Sequence, residues 1–206
     1  VIAKLKKEFD IPIKSTLLAA HAVPPEFAGN KNAYVDFICE VIIPNVAKRG
    51  IADFNDAFCE KDVFDLKDCR KILEVGLNYG LKPKLHTDEF YSIGGISLGS
   101  ELNAVSLDHL VNSKTDELKK LSGSETIAVI LPGTYFGLKE CRTDYARNII
   151  DNDIIERKNF PYIFQSLNNT KTIQKYIGNP KVNLLRFLLK KLNGINLAPI
   201  YWTHEQ

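Results

Sequence analysis

The chain has 206 residues, 45% of them hydrophobic, with a formal net charge of +2. That hydrophobic content supports a substantial core and excludes disordered and collagen-like classes. The 27 basic and 25 acidic residues are interspersed, with only short pairs such as Lys190-Lys191, so no electrostatic footprint for nucleic acid is expected.

The pattern alternates from residue 14 onward. Residues 14–20 read as a strand, followed by the Pro24-Pro25 loop. A helix over 33–48 is predicted from the spacing of Val35, Ile38, Val41, Ile42 and Val46, with Pro44 expected to kink it. A strand at 53–59 follows, then a helix capped by Asp65 and closed by Gly80. Strands at 83–86, 104–108 and 126–131 alternate with helices at 98–102, 115–121 and 143–151. Five strands separated by helices imply parallel pairing, because each crossover returns the chain in the same direction. The expected class is α/β, as a partial (β/α)8 barrel or an open doubly wound sheet, and the glycine fingerprint of a dinucleotide site is absent. After Ile154 the alternation fades into turn signals and a basic helix candidate at 182–192. Residues 1–153 are therefore expected to form one unit and 154–206 a divergent tail.

The four cysteines, Cys39, Cys59, Cys69 and Cys141, show no C-x-x-C spacing, and no apolar run approaches the length of a membrane span. Reduced thiols in a cytoplasmic protein with no membrane partner are expected. The chain starts at Val1 and contains no methionine, which reads as a fragment.

Three strands end in imidazole: His21 after Thr16–Ala20, His86 after Pro83-Lys84-Leu85, and His109 after Val105-Ser106-Leu107-Asp108. Ligands of parallel α/β folds sit at such carboxyl ends. His86 offers a nitrogen lone pair to zinc or iron, and Asp88 or Glu89 could take a proton from metal-bound water. By alternation His86 and Asp88 face one side while Thr87 and Glu89 face the other, though a turn after the strand leaves Glu89 free to reach inward. His109 fits a ligand, a proton shuttle or a carbonyl-holding group. Each histidine taken singly also fits a packed or loop residue. The agreement of three strand ends is what points to chemistry. His204 has no such context, and Pro132-Gly133, Arg142 and Arg147 fit a plain turn and solvated helix positions.

Four segments in this order resemble imidazolonepropionase, a member of the amidohydrolase superfamily of metal-dependent barrel hydrolases. They are Leu18-Ala19-Ala20-His21-Ala22-Val23-Pro24-Pro25-Glu26-Phe27, Lys84-Leu85-His86-Thr87-Asp88-Glu89-Phe90, Val105-Ser106-Leu107-Asp108-His109-Leu110 and Ala128-Val129-Ile130-Leu131-Pro132-Gly133. Tyr34-Val35-Asp36 and Asp56-Ala57-Phe58-Cys59-Glu60 match between them. The resemblance implies a barrel and hydrolytic opening of the ring of 4-imidazolone-5-propanoate to N-formimidoyl-L-glutamate in histidine catabolism. It implies one zinc or iron ion with His86 as ligand, Glu89 contacting substrate or activating water, His109 beside the reacting carbonyl, and His21 contacting substrate. Asp88 and Asp108 would orient their neighbours, and a homodimer would act on the small-molecule substrate. The family's paired His-x-His and its Thr-Asp-x-Asn-Pro segment have no counterpart in the chain, so the metal site is expected to be incomplete. The alternative is a catalytically inactive remnant or interaction protein, and a related hydrolase acting on another small ring is a third reading.

Overall fold

A computed structural model describes residues 2–8, 13–121 and 124–131, together with Thr134 and Leu138. The elements run α1 (Ile2–Glu8), β1 (Thr16–Ala20), a 3-10 turn at Pro25–Phe27, α2 (Lys31–Phe37), a π turn at Ile38–Ile42, α3 (Ile43–Lys48), β2 (Phe54–Cys59) and α4 (Leu66–Asn78). They continue with β3 (Lys82–Thr87), α5 (Gly95–Glu101), β4 (Ser106–His109), α6 (Thr115–Leu118), a 3-10 turn at Lys119–Leu121 and β5 (Ile127–Val129). The helices expected at 143–151 and 182–192, the domain boundary after 153, Pro132-Gly133, Arg142, Arg147 and His204 lie outside the described residues.

The five strands form one parallel sheet in the order β1-β2-β3-β4-β5. A doubly wound sheet reverses its strand order at a switch point, whereas a barrel adds each strand beside its predecessor. The sequential order is that of a barrel sector. Asn55, Ala57 and Cys59 of β2 share a face with Pro83, Leu85 and Thr87 of β3 and with Leu107 of β4, and the helices pack there. Ile72, Leu73, Ile96 and Leu121 close the core over Ala57, Leu85 and Leu107, all fully buried. The opposite face carries Phe54, Asp56, Phe58, Lys84, His86, Ser106 and Asp108.

Two glycines set the distance between α5 and the sheet. A Cβ at Gly95 would lie 2.0 Å from Thr87 Oγ1, and one at Gly99 would lie 2.4 Å from Leu107 Cδ2. Only a hydrogen side chain lets the helix lie this close. These contacts start α5 at Gly95, three residues before the expected 98, with Gly94 in the left-handed region at φ 101°.

Pro44, expected to kink the helix, stands at the second position of α3, directly after the π turn. Without an N–H it cannot bond back to Glu40. The chain widens instead into the π turn, where Ile43 N–H donates to the Ile38 carbonyl, and Asn45 Nδ2 donates to the Val41 carbonyl at 2.8 Å. Asp65 caps α4 as expected, accepting from the N–H groups of Lys67 and Asp68 while Asp68 reaches back to Asp65 N–H.

Candidate metal and catalytic centre

The carboxyl ends of β1 to β4 converge on one polar cluster, and local backbone irregularities aim its side chains. Leu17 pairs with Asn55 and Ala20 with Ala57, so β1 carries one extra residue between them. This bulge returns Ala20 to the helix-packed face and puts His21, the next residue, on the opposite one. His109 pairs with Thr87, which by alternation would send its ring toward the helices. Its φ of 81° redirects the ring, whose centroid lies 5.3 Å from that of His86. Leu110 and Asp88 are also left-handed, at φ 60° and 57°. Three non-glycine residues in this region within one site each cost about 1 kcal/mol or more, and such strain persists where surrounding contacts over-determine it.

Those contacts knit the β3 and β4 loops together. Asp88 is fully buried, and its carboxylate accepts from Thr87 Oγ1 at 2.9 Å and Ser113 Oγ at 2.7 Å. Its carbonyl accepts from Asn112 N–H at 2.9 Å, and Asn112 Nδ2 donates to the Glu89 carbonyl at 2.6 Å. Asp88 is thus a brace for the loop.

Asp56 lies at the centre, 1% exposed. Its Oδ1 is 3.0 Å from His86 Nδ1 and 3.5 Å from His21 Nε2, while its buried Oδ2 has no hydrogen-bond partner among the described residues. The two rings meet edge to face with centroids 4.6 Å apart. Burial works against the Asp56 charge, but the two imidazoles outweigh it and hold the carboxyl below the usual carboxylate range. Burial likewise opposes protonation of His86, yet the hydrogen bond and charge of Asp56 raise its pKa overall. One donor atom from each of His21, Asp56 and His86 lies within 4.8 Å of the other two. A tetrahedral ion with bonds near 2.1 Å needs donors about 3.4 Å apart, so the carboxylate already stands at ligand spacing from each imidazole.

The second half of the cluster is His109 with Glu89, Nε2 to Oε2 at 3.4 Å. Burial, then the neighbouring His86, depress the His109 pKa to about 4, which leaves the imidazole neutral at pH 7. Burial raises the Glu89 carboxyl, opposed by His86 and reinforced by Glu60. Asp108 is buried, with Oδ2 3.8 Å from His86 Nε2 and 3.9 Å from Lys84 Nζ, and burial raises its carboxyl too.

The four residues singled out in sequence, His21, His86, Glu89 and His109, therefore lie together. Asp56 was missed as a site residue. Its signal was a carboxylate at the same strand parity as Phe54 and Phe58.

No protein-family model matches the chain. Among curated proteins it is 42% identical over 154 residues to the imidazolonepropionase of Christiangramia forsetii, covering 75% of this chain and 37% of that protein. It is 43% identical over 154 residues to that of Geobacillus thermodenitrificans, covering 75% and 36%. The imidazolonepropionase of Streptococcus pyogenes is 42% identical over 151 residues, covering 73% and 36%. The chain spans little more than a third of the length of these relatives. Among solved structures, an amidohydrolase from an environmental sample of the Sargasso Sea superposes with a TM-score of 0.41 at 16% identity, covering 63% of this chain and 33% of that one.

Proposed function

We propose, for a chain related by sequence to the imidazolonepropionases over three quarters of its length, that it carries part of the reaction centre of a metal-dependent cyclic amide hydrolase. The reaction is addition of water across the ring amide of 4-imidazolone-5-propanoate, giving N-formimidoyl-L-glutamate. The observation that supports it most is the meeting of His21, His86, Glu89 and His109 at the carboxyl ends of a parallel sheet, within segments that resemble the family's own.

The residues fit a divalent ion, zinc or iron. Asp56 Oδ1 faces the imidazoles of His21 and His86, and its buried Oδ2 has no hydrogen-bond partner among the described residues. Bound there, the ion would polarise the ring carbonyl and lower the pKa of a water molecule. Glu89, raised by burial but opposite a cation-accepting cluster, takes the proton from the attacking water. Neutral His109 donates an N–H toward the ring carbonyl oxygen, which gains charge as water adds to the carbonyl carbon. The leaving ring nitrogen then receives the proton that Glu89 has taken, so one water is consumed and no charge is stranded. His21 contacts the substrate from the β1 side. A cytoplasmic location and a homodimer belong to the same reading, and no helix among the described residues is long and apolar enough to cross a membrane.

The test is turnover of 4-imidazolone-5-propanoate by the metal-loaded full chain, followed by loss of the ring chromophore. Formation of N-formimidoyl-L-glutamate that disappears in Glu89→Gln supports the reading. A loaded, folded chain with no turnover overturns it.

A further inference from the structure

Glu60 is a buried carboxylate that the proposed reaction does not use. It follows β2 directly and is 2% exposed. Placing an ionised carboxylate there is costly unless its oxygens are satisfied, and here peptide N–H groups satisfy both. Oε2 accepts from Phe90 N–H at 3.0 Å, and Oε1 accepts from Tyr91 N–H at 3.0 Å and from Lys61 N–H at 2.9 Å. Phe90 and Tyr91 are the two residues after Glu89.

Their side chains are largely exposed, Phe90 at 44% and Tyr91 at 56%, with the Lys61 ammonium over the Tyr91 ring at 4.8 Å from its centroid. Glu60 itself is anchored. Its N–H donates to the Phe64 carbonyl at 3.1 Å, and its carbonyl accepts from Val63 N–H at 3.2 Å, closing a tight turn at the end of β2. On the other side Asn112 Nδ2 donates to the Glu89 carbonyl at 2.6 Å. Glu89 is therefore gripped through its backbone, from β2 on one side and β4 on the other.

We propose that Glu60 is the positioning residue of this site, fixing Glu89 by binding the two peptide N–H groups that follow it. A carboxylate suits the task because it accepts at both oxygens with no donor to misplace, whereas a carboxamide offers one acceptor and an NH2 that would face an N–H. Glu60 also acts on Glu89 through space, since its negative charge opposes ionisation of the Glu89 carboxyl and keeps it a stronger base. The effect on turnover rests on the hydrolase reading above. The grip on the loop does not.

The experiment is hydrogen exchange, read by mass spectrometry, on the full chain and on Glu60→Gln. The expected result is at least ten-fold faster exchange of the Phe90 and Tyr91 amides, with the β3 ladder and α4 unchanged. Turnover of 4-imidazolone-5-propanoate should fall 10- to 100-fold in kcat with KM within two-fold, and the acid limb of the pH profile should move to lower pH. Glu60→Asp, one methylene short, keeps the charge and should restore the acid limb without restoring exchange protection. Unchanged exchange at Phe90 and Tyr91 in Glu60→Gln overturns the proposal. If the parent chain shows no turnover, the hydrolase reading fails while the exchange result still decides the role of Glu60. Should Glu60→Gln fail to fold, Glu60→Asp serves in its place, and unaltered exchange of the Phe90 and Tyr91 amides there overturns the proposal equally.

Discussion

The two ends of the sheet handle polar groups in opposite ways. At the amino end, Asp53 accepts from Ser15 N–H at 2.9 Å, from Ser15 Oγ at 3.2 Å, and from Lys6 and Lys14 at 3.0 and 3.1 Å. Its carbonyl accepts from Lys82 N–H, so side chain and backbone of Asp53 together tie the entries to β1, β2 and β3. At the carboxyl end, Asp56, three residues on within β2, has one oxygen without a partner among the described residues, two imidazoles near the other, and strained backbone close by at Asp88, His109 and Leu110. One end spends its polar contacts on stability. The other leaves them open, as expected where a parallel sheet keeps its chemistry.

That contrast breaks or holds under substitution. The largest effect is expected from His86→Ala, which should abolish stoichiometric zinc binding by calorimetry and lower turnover by about 10³-fold, while the melting temperature moves by only a few degrees. Asp56→Asn should weaken metal affinity by about 10- to 100-fold and cost less urea stability than the same change at Asp53, because burial offsets part of what the two imidazoles contribute to the ionised carboxylate. A large loss of stability in Asp56→Asn would make the carboxyl end structural too, and the contrast would fail.

At the amino end the signs reverse. Asp53→Asn should cost about 2 kcal/mol in urea unfolding at pH 7, the scale of hydrogen bonds to a charged group, with turnover unchanged. The Ser15 N–H and then Lys6 depress the folded Asp53 pKa below the ordinary carboxylate value of 3.8. Its stabilisation is therefore complete above that value and is lost as pH falls through the lower folded pKa. Asp53→Asn should flatten this acid limb when stabilities at pH 7 and pH 3 are compared. The smallest effect is expected for Lys14→Ala, whose side chain is 68% exposed, at under about 0.5 kcal/mol. A larger cost would mean that the cations, rather than the Ser15 backbone, hold the amino end.

The strand ends were legible because alternation and abrupt polar stops are local signals. His21, His86 and His109 stood out for that reason. What could not be read was direction. The bulge that turns His21 inward is set by pairing with β2, and the left-handed backbone at His109 is held by the β4 loop. Asp56 escaped because a single acid within a strand does not reveal which face is lined by histidines from its neighbours. The π turn before Pro44 escaped for a related reason: a proline announces the loss of one hydrogen bond, but packing of Ile38 and Ile43 into the core decides how the helix accommodates it.

Gly95 packs on the helix side of the sheet, opposite the polar cluster, yet its missing side chain bears on that cluster. Thr87, pressed against Gly95, sits between His86 and Asp88 in sequence and donates its hydroxyl to the Asp88 carboxylate. An alanine at 95 would have to push either α5 outward or the end of β3 toward the cluster. The spacing of an outer helix thus acts as a gauge for the chemistry inside, and a change of one methyl group on the far side of the sheet would be read out first as a displaced imidazole.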